Sequence, residues 1–112
     1  MNLRVPVLPE AIKLPEIKSP AEYAFLTVQE QVKAFEVSLT GQEAVGIWIA
    51  SFGRAFLIQV RSIKRNGQFF VFEGWNEESD ECQVIQHFTQ VSLILTKLKP
   101  AVDKLPIGFI HA

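Results

Sequence analysis

Between residues 86 and 90 this chain gathers four polar side chains: Gln86, His87, Thr89 and Gln90. Two glutamine amides offer donors and acceptors together. That combination suits reading a base edge, a peptide backbone or a polar ligand. The alternative is that these groups hydrogen-bond the end of one element and cap the next. Trp48 and Trp75 could stack on a ligand or base, or pack against a sheet face. Arg54, Arg61, Lys64 and Arg65 lie in a stretch with no acid between Ala44 and Phe72. They form a candidate basic edge for nucleic acid, or else one solvated end of the domain. The acids Glu73, Glu77, Glu78, Asp80 and Glu81 follow at once.

Other chemistries find little support. The two histidines, His87 and His111, and the single cysteine, Cys82, have no zinc-ligand spacing. In an extended strand Cys82 and His87 face opposite sides. No nucleophile, base and orienting group can be assembled from local motifs. Glu73 and Glu81 could approach each other across a hairpin, but nothing beyond ordinary solvation singles them out. No catalytic residue, metal or cofactor is expected.

The elements that must position these residues are strands. Four runs read as consecutive strands, roughly 44–52, 55–64, 68–75 and 82–88. In the first, Val45, Ile47 and Ile49 share one face and Trp48, Ala50 and Phe52 the other, so both faces want cover. In the second, Phe56, Ile58 and Val60 share a face. Gln59, Arg61 and Arg65 lie on the other, with Leu57 and Ile63. Gly53 suits a tight turn, and Asn66-Gly67 predicts a type I′ hairpin with φ > 0 at both positions. In the fourth, Cys82, Val84, Gln86 and Phe88 face one way, and Gln83, Ile85 and His87 the other. Short strands joined by short turns predict an antiparallel meander.

The flanks are helical or extended. Residues 1–18 are an arm cut by Pro6, Pro9 and Pro15, too apolar for a free tail. It is expected to drape over its own domain or to dock on a neighbour. Ser19-Pro20-Ala21-Glu22 predicts a capped helix start. Ala21, Phe25, Val28, Val32, Phe35 and Leu39 give that helix one apolar stripe, and Gly41 is placed to end it. After Phe88 the periodicity admits two readings. Thr89 to about Lys99 is favoured as a helix; the alternation of Val91, Leu93 and Leu95 with Ser92, Ile94 and Thr96 is the strand alternative. Pro106 to Ile110 reads as an extended tail pairing with a sheet edge.

At 112 residues and 48% apolar content, one domain with a real core is expected. A net charge of −1 gives no global push toward nucleic acid or anionic membrane. The lone Cys82 excludes an intrachain disulfide framework and suits a reducing compartment. No apolar run approaches a membrane span, so a cytoplasmic protein is expected.

Two resemblances follow from these residues. Ser19-Pro20-Ala21-Glu22, Phe35-Glu36, Ala44-Val45-Gly46, Ser51-Phe52-Gly53, Ile85-Gln86-His87-Phe88-Thr89-Gln90 and Pro106-Ile107-Gly108-Phe109 stand in the order of a family of small uncharacterised bacterial and phage-associated domains. The resemblance spans residues 19–110 and implies a fold, but no activity. The order of helix, strand, glycine turn, long strand, strand, acidic loop and strand also resembles the Sm-like RNA-binding proteins, including the bacterial host-factor RNA chaperone. Gly53 and His87 match that chaperone by residue type, and Gln86 stands where it carries a lysine. This second resemblance implies a small β-barrel with 91–96 as a fifth strand.

The expectation is therefore an α+β domain over 19–112: an amphipathic helix on a twisted four-stranded antiparallel meander, then a C-terminal helix and tail. Its expected function is a non-enzymatic interaction module that forms a homo-oligomer or binds another protein. The alternative is a small nucleic-acid or nucleotide binder.

Overall fold

The computed structural model describes residues 18–51, 53–100 and 105–111. The arm expected over 1–18 lies outside the described residues apart from Lys18, and so does Phe52. Helix α1 spans Pro20–Val37. Its start follows the local chemistry: Ser19 Oγ accepts a hydrogen bond from the Glu22 N–H at 3.2 Å, and Pro20 opens the first turn. It ends before Gly41, because the Ser38 hydroxyl donates to the Phe35 carbonyl at 2.6 Å and takes over a bond the helix would otherwise continue. Ala21, Phe25 and Val32 are buried, and Val28, Phe35 and Leu39 pack at the margin of the core.

Six strands follow: β1 Ala44–Ser51, β2 Arg54–Asn66, β3 Phe69–Trp75, β4 Glu81–His87, β5 Leu93–Leu98 and β6 Gly108–His111. The order β4-β3-β2-β1-β5 is antiparallel throughout. β6 departs from it, pairing in parallel with the second half of β2, Ser62 to Arg65. The expected four strands thus become six.

The expected helix over 89–99 is not formed. A short 3-10 turn covers Phe88–Gln90, and β5 then pairs Leu93 to Leu98 with Ile49 back to Ala44. Thr89 does not cap a helix; its backbone N–H donates to His87 Nδ1 at 3.3 Å. Leu93 and Leu95 turn toward the core while Ile94 turns out, the two-residue period of a strand.

The faces of β2 also differ from simple alternation. Gln59 pairs with Trp75 and Val60 with Gly74, but Ser62 pairs with Glu73, so Arg61 is an extra residue. This bulge resets the pleat. Ile63 joins Ile58 and Val60 in the core instead of lying opposite them. Phe56, expected beside Ile58 and Val60, is 43% exposed at the strand's end. The hairpin after β2 keeps its glycine at Gly67, φ 61°, but Asn66 has no positive φ and pairs with Phe69. With φ > 0 at the first central position alone, the turn has the pattern of type II′, not I′.

The sheet curls. Gln86 Nε2, on β4, donates to the Ala50 carbonyl on β1 at 2.7 Å, although β3 and β2 lie between those strands in the pairing order. The core inside the curl holds Ile47, Ile49, Ile58, Ile63, Phe70 and Phe72. Phe25 of α1 closes it, edge-on to Phe70 with ring centroids 5.4 Å apart.

Gly74 lets this curl close. A Cβ there would overlap the Gln59 carbonyl and crowd Ile58 Cγ2 at 2.8 Å. Gly74→Ala is expected to lower stability by about 2 kcal/mol through backbone displacement, read as a lower denaturant midpoint at unchanged slope.

Candidate functional site

The polar group at residues 86–90 is brought together where β4 meets the 3-10 turn. Its members are mostly engaged. Gln86 is 6% exposed, and its amide nitrogen holds Ala50. His87 Nδ1 lies 2.7 Å from Thr89 Oγ1, and Nε2 lies 2.9 Å from Gln68 Oε1. Because Gln68 Oε1 can only accept, the proton sits on Nε2, leaving Nδ1 to accept from Thr89. Phe69 stands edge-on to the same ring at 5.3 Å. His87 thus ties β4, the β2–β3 turn and the 3-10 turn together. Gln90 is exposed, and Gln86 Oε1 is buried without a hydrogen-bond partner. Gln86, His87 and Gln90 border an open cleft of about 440 Å³ with Ala50, Gly53, Ile85 and Ser92.

The basic residues do not form one free patch. Arg61 reaches Glu73 at 3.1 Å and Glu81 at 3.6 Å, with its guanidinium 5.5 Å from the centre of the Trp75 ring. Lys64 also pairs with Glu73. Arg65 donates to the Gly67 carbonyl at 2.9 Å. Arg54 is exposed at the start of β2, away from that network. Glu73 and Glu81 do converge, but on the Arg61 cation between them.

This arrangement fixes their chemistry. The Lys64 hydrogen bond, aided by Arg61 and Gln83 and opposed by burial, holds the Glu73 carboxyl below the ordinary range. Such a group stays ionised near neutral pH and cannot serve as a general acid. Burial pushes the Cys82 thiol up, which makes it a poor nucleophile. Among the described residues no three His, Cys, Asp or Glu side chains gather as a metal site.

The two tryptophans share the outer face, opposite the core. Leu57 of β2, Trp48 of β1 and Ile94 of β5 stand in one cross-strand row. Trp75 follows diagonally, opposite Gln59. Beneath them Gly46 leaves a recess filled by Leu98 and Leu57 side chains. Ile94 is 66% exposed, while Trp48 and Leu57 beside it are half-buried. Leu57, Ile94 and Leu98 escape a reading that makes 89–99 a helix; the apolar outer side of β1 was the signal for them.

Compared with protein-family models, curated proteins and solved structures, the chain matches none of them. No helix among the described residues is long and apolar enough to cross a membrane.

The shifted Glu73 carboxyl gives a pH signature. A carboxyl whose folded pKa lies below an unfolded value of about 4.3 stabilises fully above that value and loses the effect as pH falls through the folded pKa. Glu73→Gln should cost about 1 kcal/mol at pH 7, since both cations are partly exposed. It should also flatten the loss of stability below about pH 4. Denaturant titrations at several pH values check both effects.

Proposed function

We propose that this chain is a non-enzymatic interaction module that associates with copies of itself through the outer face of β1, β2 and β5. The observation that carries this reading is the row Leu57–Trp48–Ile94. One face of β1 is buried by the core and α1, while the other presents apolar side chains across three strands. A contiguous apolar surface of this kind marks a protein contact, and a single patch facing its own copy gives a closed dimer. The single cysteine, Cys82, supports a reducing compartment for this module. The resemblance to bacterial and phage-associated domains extends the reading to a part in host–phage conflict.

A second reading is favoured by a separate observation. The Sm-like resemblance requires a strand near 91–96, and Leu93–Leu98 is one, closing the order β4-β3-β2-β1-β5 behind an N-terminal helix. In that reading the chain is a small Sm-like β-barrel that binds nucleic acid or a nucleotide. Arg54 and the Gln86–Gln90 cleft would carry the contact, because Arg61 and Lys64 are held by Glu73.

Light scattering across concentration tests the first reading. Wild-type chain should associate, and Ile94→Lys should weaken association at least tenfold (about 1.4 kcal/mol) with the fold intact. A wild-type monomer at all concentrations would overturn it. For the second reading, affinity for a short single-stranded RNA should fall steeply with salt and fall again in Arg54→Ala. Absence of binding at low salt would remove that reading and leave the first untouched.

A further inference from the structure

Strand β2 outruns its partner on one side. β3 pairs with it only from Gln59 onward, and after Trp75 the chain turns away into a loop closed by the Asn76 N–H on the Asp80 carbonyl. The Ala50 N–H donates to the Ser92 carbonyl at 3.3 Å, so the even-numbered residues of β1 bond to the β5 side and the odd-numbered ones to β2. Arg54, Phe56 and Ile58 of β2 therefore bond to β1. The N–H and C=O groups of Ala55 and Leu57 point the other way, and no strand among the described residues pairs with them. A hollow lies on each face of this edge. On the core side, about 300 Å³ is walled by Phe56, Ile58, Cys82 and Val84 and rimmed by Glu77 and Glu78. Unlike Glu73 and Glu81, neither of these acids forms an ion pair with a described residue. On the outer side, about 180 Å³ lies beside Leu57, Trp75 and Leu98, and there Glu77 is offset by Lys99.

From these observations we infer that the edge at Ala55–Leu57 takes up an extended peptide of alternating basic and apolar residues as an added strand. Main-chain bonds and a pocket for every second side chain are what strand addition requires. Peptide residues opposite Ala55 and Leu57 exchange N–H and C=O bonds with them. Their side chains fall on the outer face beside Leu57 and Trp75, so these positions are apolar. The residue between them turns its side chain to the core-side hollow and its own N–H to solvent. A lysine or arginine there lays its methylene stem along Phe56 and Val84 and brings its charge to Glu77 and Glu78. The charge pattern thus decides which face of the peptide is basic. The same acids repel a phosphate backbone, so this edge is separate from the nucleic-acid reading. It shares Leu57 with the self-association row but not Ile94, and the two can be tested apart.

The probe is an acetylated, amidated Arg-Val-Arg-Val-Arg peptide, titrated into full-length wild-type chain and into Ile94→Lys while amide resonances are followed. Both chains should bind it with the same affinity, with shifts and slowed exchange at the Ala55 and Leu57 N–H groups. The double variant Glu77→Gln with Glu78→Gln, confined to an exposed loop, should bind about fivefold more weakly. A peptide N-methylated at both valines should lose about tenfold or more, because its bonds to β2 are gone. One N-methylated at the central arginine should bind as before. Unmoved Ala55 and Leu57 amides would overturn the inference. So would equal effects of the two N-methylations, which would make the contact one of charge alone, or an unchanged affinity in the double variant. Binding lost in Ile94→Lys would assign the peptide to the outer row and overturn the edge site.

Discussion

The architecture depends on β2 pairing with three strands at once. β3 lies along one side of its second half, and β1 and β6 share the other side end to end. A straight strand could not hold that arrangement and curl into a closed core. The extra residue at Arg61 bends it and turns Ile63 inward at the point where β1 gives way to β6. The same bulge sends Arg61 outward against Glu73, Glu81 and Trp75. One inserted residue therefore serves both packing and surface electrostatics. Gly74, across from Val60, supplies the matching absence of a side chain.

β1 is the second constraint. A strand apolar on both faces is stable only if both faces are covered and both edges paired. Its edges are taken by β2 and β5, and its inner face by the core. Its outer face carries Trp48 over the recess at Gly46. The self-association proposed above would supply the cover that this pattern demands.

Much of this was legible before any coordinates. Ser19-Pro20 and Glu22 marked the helix start, and Gly53 and Gly67 marked two turns that do carry positive φ. The strand limits lie within about two residues of those read from alternation, as expected for element ends. Two features were hidden. A bulge leaves no local signature in Val60-Arg61-Ser62, so alternation put Ile63 on the wrong side. Residues 89–99 carry apolar side chains at helical and strand spacing together, and local periodicity cannot separate them. The deciding signal was remote: a meander ending at β4 leaves β1 at a sheet edge, which its two apolar faces forbid. At the candidate site, residue type located Gln86 and His87 but not their duties. Gln86 reaches Ala50 across the curl, a contact that no spacing along the chain encodes.

The parallel pairing of β6 has a consequence for synthesis. Phe109 and His111 pack on Phe25 near the start of α1, with centroids 6.4 and 4.4 Å away, and the Ile107 N–H donates to Glu36 at 3.2 Å. The first and last elements of the described chain thus seal the same core. A nascent chain on the ribosome can build the β1–β4 meander from neighbouring segments, but it cannot cover Phe25 until residues 107–111 have emerged. For that interval the helix stripe is open to chaperones or to other nascent chains. Closure of this core therefore waits for residues 107–111, with long-range contacts forming last.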